Sequence, residues 1–395
     1  MHAVELLHES SAEALGHVHS YRREAVWSGV SALLRGRQLW LTALGRNLDG
    51  GVTEKHAIKR MDRLLGNPHL SAERVSWYHW LAQRLLGGCR EPVILVDWSD
   101  LDSHKGLFVL RAAVAVGGRA LPVYEQVHDS YGDTRWHRQF LSHLAQVLGA
   151  QCTPILVTDA GFRPWWFKLV AERGWNYVGR VRNRELLCWP GDEEWWPNKT
   201  LHAQATARPK TLGEVYLSKS HALATQLYLY RGKPKKRHKL NRDGTQAKGP
   251  REAKYAAGAR EPWLLASNLS GASARRIVNT YRLRMQIEEG FRDLKAPRNG
   301  FAFRHNMGRN AERVANLLLL GALAMLVTWL VGIVGDLKGL QRGLQANTVR
   351  TRRVLSVFTV GSRLLAKGLA ITRSELRLAL SELQRLGVQQ LRLAE

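Results

Sequence analysis

Residues 91–101 read EPVILVDWSDL and residues 153–162 read TPILVTDAGF, and these two stretches decide the fold class. In each, a short run of consecutive apolar residues is followed by an aspartate, Asp97 in the first and Asp159 in the second. Uninterrupted apolar runs are typical of strands that are buried on both faces. Segments with helical periodicity, such as HRQFLSHLAQVLG at 137–149, lie between and after them. The sequence therefore predicts an α/β fold with a buried sheet.

Asp97 and Asp159 are both expected at strand ends, where reactive groups gather in open α/β sheets. If the two strands are neighbours, the carboxylates lie close together, repel each other and are costly to desolvate. A divalent cation removes that cost, and Mg²⁺ prefers oxygen ligands. Two such ions about 3.5–4 Å apart can activate the attacking oxygen of a phosphoryl transfer and stabilise the leaving oxygen. The alternative is that both aspartates cap the turns that follow the strands.

A third acid lies in YRLRMQIEEGFRDLK at 281–295, within a helix predicted over 274–296. At 3.6 residues per turn, Tyr281, Arg284, Glu288 and Lys295 share one face of that helix. The face suits phosphate chemistry, with a carboxylate for a metal ion, two cations for phosphate oxygens and a phenol as donor. The alternative is an i,i+4 ion pair between Arg284 and Glu288, which gives Tyr281 no role.

The charge of the chain points to an anionic partner. Lys and Arg total 59 against 33 Asp and Glu, a formal net charge of +26. Nucleic acid is the first candidate, because neutralisation of phosphates by Lys and Arg supplies most non-specific affinity. An anionic membrane surface is the second, and a basic surface without a partner is the third.

The first 85 residues are predicted to be helical and basic. In TEKHAIKRMDRLLGN, residues 53–67, apolar side chains fall largely on one side of a short helix. The basic side chains fall three to four residues apart on the other, as in a helix that reads DNA or in a solvated surface helix. These basic residues are Lys55, Lys59, Arg60 and Arg63.

Residues 316–335 read NLLLLGALAMLVTWLVGIVG and carry no charge. A stretch of about 20 apolar residues has the length of a membrane span. It also fits a helix that is apolar all round because it lies in the centre of a large domain. From composition alone the two alternatives are equal.

The three cysteines, Cys89, Cys152 and Cys188, form no CxxC pair and no even set. This argues against a disulfide framework and against a structural zinc site. The first 20 residues carry acids and no continuous apolar run, unlike a secretory signal. Both observations predict a cytoplasmic protein, associated with the nucleoid when it is bound to DNA.

The spacing Y-x2-R-x3-E-x6-K at 281–295 resembles the signature of the insertion-sequence-four (IS-four) family of bacterial DDE transposases. VTDAGFRPWWFKLV and GWNYVGRVR resemble the block around that family's second aspartate. IKRMDRLLGN resembles an N-terminal segment of the Tn-ten-like branch. The resemblance implies an RNase H-like core interrupted by a β-rich insertion. It also implies two-metal, cut-and-paste transposition by a homodimer bound to the inverted-repeat ends of double-stranded DNA.

The resemblance also implies a role for single residues. Asp97, Asp159 and Glu288 correspond to the catalytic metal ligands for Mg²⁺, with Mn²⁺ able to substitute. Asp100 and Glu289 are less suitable, because Asp97 directly ends the apolar run and Glu288 fits the signature spacing. The side chains that correspond to contacts with the DNA backbone are Tyr281, Arg284 and Lys295.

Trp263 corresponds to a tryptophan that stacks on a flipped base when the cleaved end forms a hairpin. The match rests on the letters WLL and on the distance to Tyr281. A core aromatic residue at the start of a strand is the alternative.

The expected organisation has five segments. They are a helical DNA-binding domain at 1–85, the first part of the core at 86–184, the β-rich insertion at 185–262, the second part of the core at 263–335 and a helical C-terminal region at 336–395, with a possible role in dimerisation. Residues 231–254 are strongly basic and are predicted to form an exposed loop, either in contact with DNA or simply solvated.

Two other functions remain open from the sequence. One is a DNA endonuclease on the same core that does not transpose, and the other is an inactive DNA-binding relative. The family resemblance favours a buried helix at 316–335, because a membrane span directly after the Glu288 helix would tether the active site to a bilayer. No membrane partner is therefore expected.

Overall fold

The computed structural model describes residues 2–394 except 103–105, 183–184, 233–244, 246–248, 251–257, 259–260, 346–347 and 350. The chain divides into two compact units. The first unit contains Met1–Pro154 and Leu283–Arg392, and the second contains Ile155–Arg282 and Leu393–Glu395. Most of the basic stretch 231–254 lies outside the described residues, so its prediction as a loop is not tested.

The first unit begins with helices whose ends follow local capping rules. The Asn67 side chain accepts hydrogen bonds from the backbone N–H groups of His69 (2.9 Å) and Leu70 (3.2 Å), and Pro68 follows at the first helical position. The short helix predicted within 53–67 is confirmed as the fourth helix, with Thr53 and Gly66 as its two caps. The helices are α1 (His2–Ser11), α2 (Ser20–Gly36), α3 (Leu41–Arg46), α4 (Glu54–Leu65) and α5 (Pro68–Leu86).

Three antiparallel strands follow in the first unit: β1 (Val93–Asp102), β2 (Leu107–Val116) and β3 (Arg119–His128). β2 and β3 are connected by a tight turn at Gly117-Gly118, and both glycines adopt positive φ, +52° and +90°, as such a hairpin requires.

The prediction that Asp97 ends its strand is wrong. β1 runs on to Asp102, and Asp97 pairs with Arg111 in the middle of the ladder. The strand continues because β2 offers backbone partners well beyond the apolar run, up to a register shift between Asp100 and Asp102.

Helix α10 (Ala311–Leu337), which contains the apolar stretch, packs against α2, α5 and β3 in the first unit. Among the described residues, α10 is long and apolar enough to cross a membrane, and its most apolar window is completely buried in the protein. This burial agrees with the predicted packed helix. A Cβ at Gly361 would collide with the Thr328 carbonyl, so glycine allows α11 to approach α10 closely. The other helices of this unit are α6 (Arg135–Leu148), α9 (Met285–Lys295), α11 (Val357–Ala366) and α12 (Arg373–Ala394).

The second unit contains a mixed sheet with the strand order β4-β5-β10-β9-β8-β6-β7. β4 and β5 are parallel and are connected through α7 (Pro164–Ala171), whereas the other neighbours are antiparallel. The protein is therefore a mixed α/β protein, as predicted. The strands are β4 (Ile155–Thr158), β5 (Asn176–Val181), β6 (Leu186–Cys188), β7 (Trp196–Pro197), β8 (Lys210–Leu217), β9 (Leu223–Tyr230) and β10 (Trp263–Ser267).

The prediction of one continuous helix over 274–296 is wrong. Helix α8 (Ala274–Arg282) ends in the second unit, and α9 begins at Met285 in the first. Between them the backbone tightens, because Gln286 N bonds to Leu283 O (2.9 Å) and Ile287 N to Arg284 O (3.1 Å), three residues back instead of four. Tyr281 and Glu288 therefore belong to two different helices.

Candidate active site

Asp97 and Glu288 are joined by one guanidinium group in the first unit. Arg284 Nη2 donates a hydrogen bond of 2.9 Å to Glu288 Oε1, and Arg284 Nη1 lies 3.4 Å from Asp97 Oδ2. The side chains of Arg284 and Asp97 are each 13% exposed, whereas that of Glu288 is 49% exposed. Asp97 on β1, which is largely buried, and the more accessible Glu288 on α9 therefore contact the same Arg284 guanidinium.

Lys295 lies on the same helix as Glu288 and reaches β1. Its Nζ donates to Ser99 Oγ (2.7 Å) and to the Asp100 carbonyl. Burial lowers the pKa of Lys295 to about 8, and the nearby Arg111 guanidinium contributes to this shift. The ammonium group is therefore held beside the strand that carries Asp97.

Helix α9 is anchored at the β2–β3 hairpin. Gln286 Oε1 accepts a hydrogen bond of 3.0 Å from Gly118 N, and Arg119 forms ion pairs with Glu289 and Asp293. A Cβ at Gly290 would collide with the Ala120 carbonyl, so the helix backbone lies directly against β3. Glu289 is occupied by this anchor, and this favours Glu288 as the functional acid of the pair.

Asp159 lies in the second unit, directly after β4 as predicted. Its Oδ1 accepts a hydrogen bond of 2.7 Å from Gly161 N, which forms a local turn. The carboxylate is only partly buried. Asp159 therefore caps the turn that follows its strand, which was the alternative to a metal-binding role. The second carboxylate oxygen of Asp159, Oδ2, takes no part in this hydrogen bond.

Trp263 and Tyr281 are in contact in the second unit. Their ring centroids are 4.9 Å apart in an edge-to-face arrangement, and Tyr281 is 4% exposed. Tyr230 adds a third ring, 5.7 Å from Trp263, to which it is paired across β9 and β10. The Arg282 guanidinium lies over the Tyr230 ring and donates to its hydroxyl (2.7 Å). Sequence reasoning missed Tyr230, although the alternating pattern of β9 and β10 made such a cross-strand pair possible.

The basic face predicted on α4 is exposed. Ala57, Met61, Leu64 and Leu65 form the buried side of this helix. Of the residues that the structure describes, none forms an ion pair with the four cations on the other side, because Glu54 pairs with Arg46 and Asp62 pairs with Arg313. These exposed cations are Lys55, Lys59, Arg60 and Arg63.

The donor set of the candidate site suits a hard divalent cation. Asp97 and Glu288 offer carboxylate oxygens around a common positive group, which Mg²⁺ could replace. Within the described ranges, no group of three or more His, Cys, Asp or Glu side chains is arranged to hold a metal ion. Arg284 is the group that neutralises Asp97 and Glu288 in this state.

Residues 88–327 match a family model described as the transposase DDE domain. The match begins just after α5 and includes all seven residues predicted for the core site. A comparison with curated proteins gives no match. The seven residues are Asp97, Asp159, Trp263, Tyr281, Arg284, Glu288 and Lys295.

Proposed function

Because this chain belongs to the DDE transposase family, whose members are metal-dependent DNA-cleaving enzymes, we propose that it moves an insertion sequence by a cut-and-paste pathway. The observation that carries the proposal is the Arg284 guanidinium that joins Asp97 to Glu288. The motif spacing favours the IS-four family and its Tn-ten-like branch. The antiparallel strands β6–β9, which separate β5 from β10 along the chain, support an RNase H-like core with a β-rich insertion.

Asp97, Asp159 and Glu288 are the proposed metal ligands, and Mg²⁺ is the proposed ion, with Mn²⁺ as a substitute. When bound, such ions activate water and neutralise charge in an in-line displacement at phosphorus. In the first step, water breaks the phosphodiester at the element end and leaves a 3′-hydroxyl and a 5′-phosphate. The 3′-hydroxyl then attacks the phosphodiester of the opposite strand, which displaces the 3′-hydroxyl of the flanking DNA and closes the element end as a hairpin. Water reopens the hairpin and restores the 3′-hydroxyl of the element. In the last step, this 3′-hydroxyl attacks a phosphodiester of target DNA and displaces a 3′-hydroxyl of the target strand.

Arg284 and Lys295 are the proposed phosphate ligands of the first unit. Both side chains carry cationic donor groups beside β1 and α9, the elements that carry Asp97 and Glu288. A guanidinium binds phosphate in the same bidentate manner in which it binds a carboxylate. Arg284 would therefore exchange its carboxylate partners for phosphate oxygens when DNA enters. The exchange would release Asp97 and Glu288 to serve as metal ligands.

Trp263 is the proposed platform for a base that leaves the helical stack during hairpin formation. Its contact with Tyr281 and Tyr230 supplies a rigid aromatic support for the exposed part of the ring. Stacking of this kind offsets the unstacking cost of a few kcal/mol. Tyr281 therefore has two proposed roles. It supports the Trp263 ring by direct contact, and it is a candidate ligand of the DNA backbone.

The exposed basic face of α4 is the proposed contact with the inverted-repeat ends. Exposed cations that form no ion pair with the described residues are available to phosphates and base edges of duplex DNA. We place the reaction in a homodimer that holds two ends in the cytoplasm, associated with the nucleoid.

The test is an assay of strand cleavage and strand transfer on a labelled element end. Wild-type protein should cleave the end with Mg²⁺ and join its 3′-end to a second DNA. Asp97→Asn, Asp159→Asn and Glu288→Gln should each bind the end but not cleave it, whereas the neighbouring Asp100→Asn should still cleave. Cleavage without joining would identify an endonuclease, and binding without any cleavage would identify an inactive relative.

A further inference from the structure

Three charged residues stand in one row across the first three strands. In the ladder register, Asp97 on β1 faces Arg111 on β2, and Arg111 faces Glu125 on β3. Directly opposed residues of antiparallel strands point to the same face of a sheet. Arg111 therefore lies, in strand order, between the candidate metal ligand Asp97 and the carboxylate of Glu125.

The pair Arg111–Glu125 is completely buried. Arg111 is 0% exposed and Glu125 is 3% exposed. Arg111 Nε and Nη2 lie 2.8 Å and 2.6 Å from Glu125 Oε1, and the buried Tyr78 hydroxyl donates to Glu125 Oε2 at 3.3 Å. Arg111 Nη1 has no hydrogen-bond partner among the described residues. A buried ion pair adds little stability over an apolar pair of the same shape, so stability alone does not explain this one.

The same guanidinium supports the helix that carries Glu288 and Lys295. The Arg111 Cζ atom lies 4.0 Å from the centroid of the Phe291 ring, and Lys295 Nζ lies 5.2 Å from it. Phe291 belongs to α9, three residues after Glu288 and four before Lys295. Arg111 thus contacts the side chain through which this face of α9 rests on the sheet.

We propose that Arg111 is a positioning residue of the active site, which aligns Asp97 on β1 with Glu288 and Lys295 on α9. The inference rests on the proposed function of these residues. The guanidinium fixes Phe291 by stacking and so fixes the distance between the helix and the sheet.

The experiment replaces the buried pair by apolar residues of similar volume, in the double variant Arg111→Met, Glu125→Leu. Because no buried charge is left without a partner, the variant should fold. Its unfolding temperature should lie at or somewhat below that of the wild type, since the buried Tyr78 hydroxyl loses its acceptor. We expect its affinity for Mn²⁺ in the complex with end DNA, measured by electron paramagnetic resonance, to fall about tenfold or more, as for other groups that orient metal ligands. The cleavage rate at saturating DNA should fall with it, while the Kd for end DNA stays unchanged.

The matched control is the double variant Arg22→Met, Glu73→Leu, which removes a partly buried pair between α2 and α5 in the same unit. It should leave both Mn²⁺ affinity and the cleavage rate as in the wild type. Phe291→Leu, which keeps the ion pair and removes only the stacked ring, should weaken Mn²⁺ binding in the same direction by a smaller factor.

Wild-type Mn²⁺ affinity and cleavage in the Arg111 double variant would overturn the positioning role. The same result in Phe291→Leu would overturn it if the double variant failed to fold. Failure of the wild-type protein to cleave end DNA would instead contradict the proposed function, so the two failures are distinguishable.

Discussion

Arg284 Nη2 donates a hydrogen bond of 2.9 Å to Glu288 Oε1, one helical turn further along the chain. The same guanidinium lies 3.4 Å from Asp97 Oδ2. Two acids proposed to hold a metal ion are therefore neutralised by a side chain of the protein itself. Metal binding and displacement of the Arg284 guanidinium should be linked, because the guanidinium must leave the two carboxylates before a metal ion can bind to them.

Replacement of Arg284 should strengthen metal binding by the protein without DNA. In Arg284→Gln the acids lose their internal cation, and we expect Mn²⁺ affinity to rise several-fold, since opposite charges at such distances contribute on the order of 1 kcal/mol or more. Titration of free protein with Mn²⁺, followed by electron paramagnetic resonance, measures the change. Arg292→Gln removes an exposed cation from the same helix and should leave the affinity unchanged. An unchanged or weaker affinity in Arg284→Gln would contradict the linkage.

Gly290 should be intolerant of any side chain. A Cβ there would meet the Ala120 carbonyl, so Gly290→Ala should force α9 away from β3 and destabilise the protein by about 1–3 kcal/mol. Denaturant unfolding measures the loss. Gly343→Ala is the control, because among the described residues no atom outside its immediate chain neighbours lies within 4 Å of the added methyl group. Equal stabilities of the two variants would show that the close approach of α9 to β3 is not required.

The basic face of α4 should contribute affinity for DNA without contributing stability. Lys59→Ala and Arg63→Ala remove exposed cations that have no ion-pair partner among the described residues, so the melting temperature should not change. Each should reduce the slope of log K against log salt by about one unit if it contacts a phosphate. Arg135→Ala, at an exposed cation on α6, is the matched control for net charge. Salt slopes identical to that of the wild type would place α4 outside the DNA interface.

Trp263 should matter for hairpin formation and not for the first cleavage. Trp263→Ala removes the stacking platform, and we expect hairpin yield to fall at least about tenfold, given roughly 1–3 kcal/mol per stacked base. First-strand nicking should continue, and gel analysis of labelled ends separates the two products. Trp196→Ala, at an exposed tryptophan elsewhere in the second unit, should have no effect. Loss of nicking in Trp263→Ala would assign the ring to the core instead.

Acid should destabilise the first unit through His128. This side chain stacks on Trp136 with centroids 4.6 Å apart, and burial lowers its pKa from 6.5 to about 4. The unfolded chain therefore binds a proton that the folded protein rejects. Above pH 6.5 the ring is neutral in both states, so it does not change the free energy of unfolding with pH. As pH falls from 6.5 towards 4, the unfolded chain takes up a proton and the free energy of unfolding decreases.

Thermal unfolding of His128→Phe between pH 7.5 and 4.5 measures this loss. The variant should lose less stability on acidification than the wild type, because the titrating group is gone. His17→Phe, at an exposed histidine, should follow the wild-type curve. Parallel curves for His128→Phe and the wild type would contradict the burial effect.

Much of the fold is determined locally and could be predicted from the sequence. The Gly117-Gly118 hairpin, the Asn67 and Thr53 caps and the apolar strand before Asp159 follow from the preferences of neighbouring residues for particular backbone angles and hydrogen bonds. The match of residues 88–327 to the transposase DDE domain likewise agrees with motifs that are visible along the chain.

Other features depend on partners distant in sequence. The ladder with β2 extends β1 past Asp97. The tightened turn at Leu283–Arg284 divides the predicted helix into two helices, one with Tyr281 and one with Glu288. The periodicity of the sequence cannot reveal either feature, because it assumes regular elements of unbroken length.

The sequence by itself determined the residue types of the site and their spacing, because that spacing places Asp159 directly after a strand and places Arg284, Glu288 and Lys295 one or two helical turns apart. The i,i+4 ion pair between Arg284 and Glu288, considered from the sequence, is present. Only the tertiary structure decided that the same guanidinium also reaches Asp97, and that Arg111 is buried between Asp97 and Glu125 in strand order. Strand register and helix docking bring together groups that are far apart along the chain, and charge pairing in a buried environment depends on that three-dimensional neighbourhood.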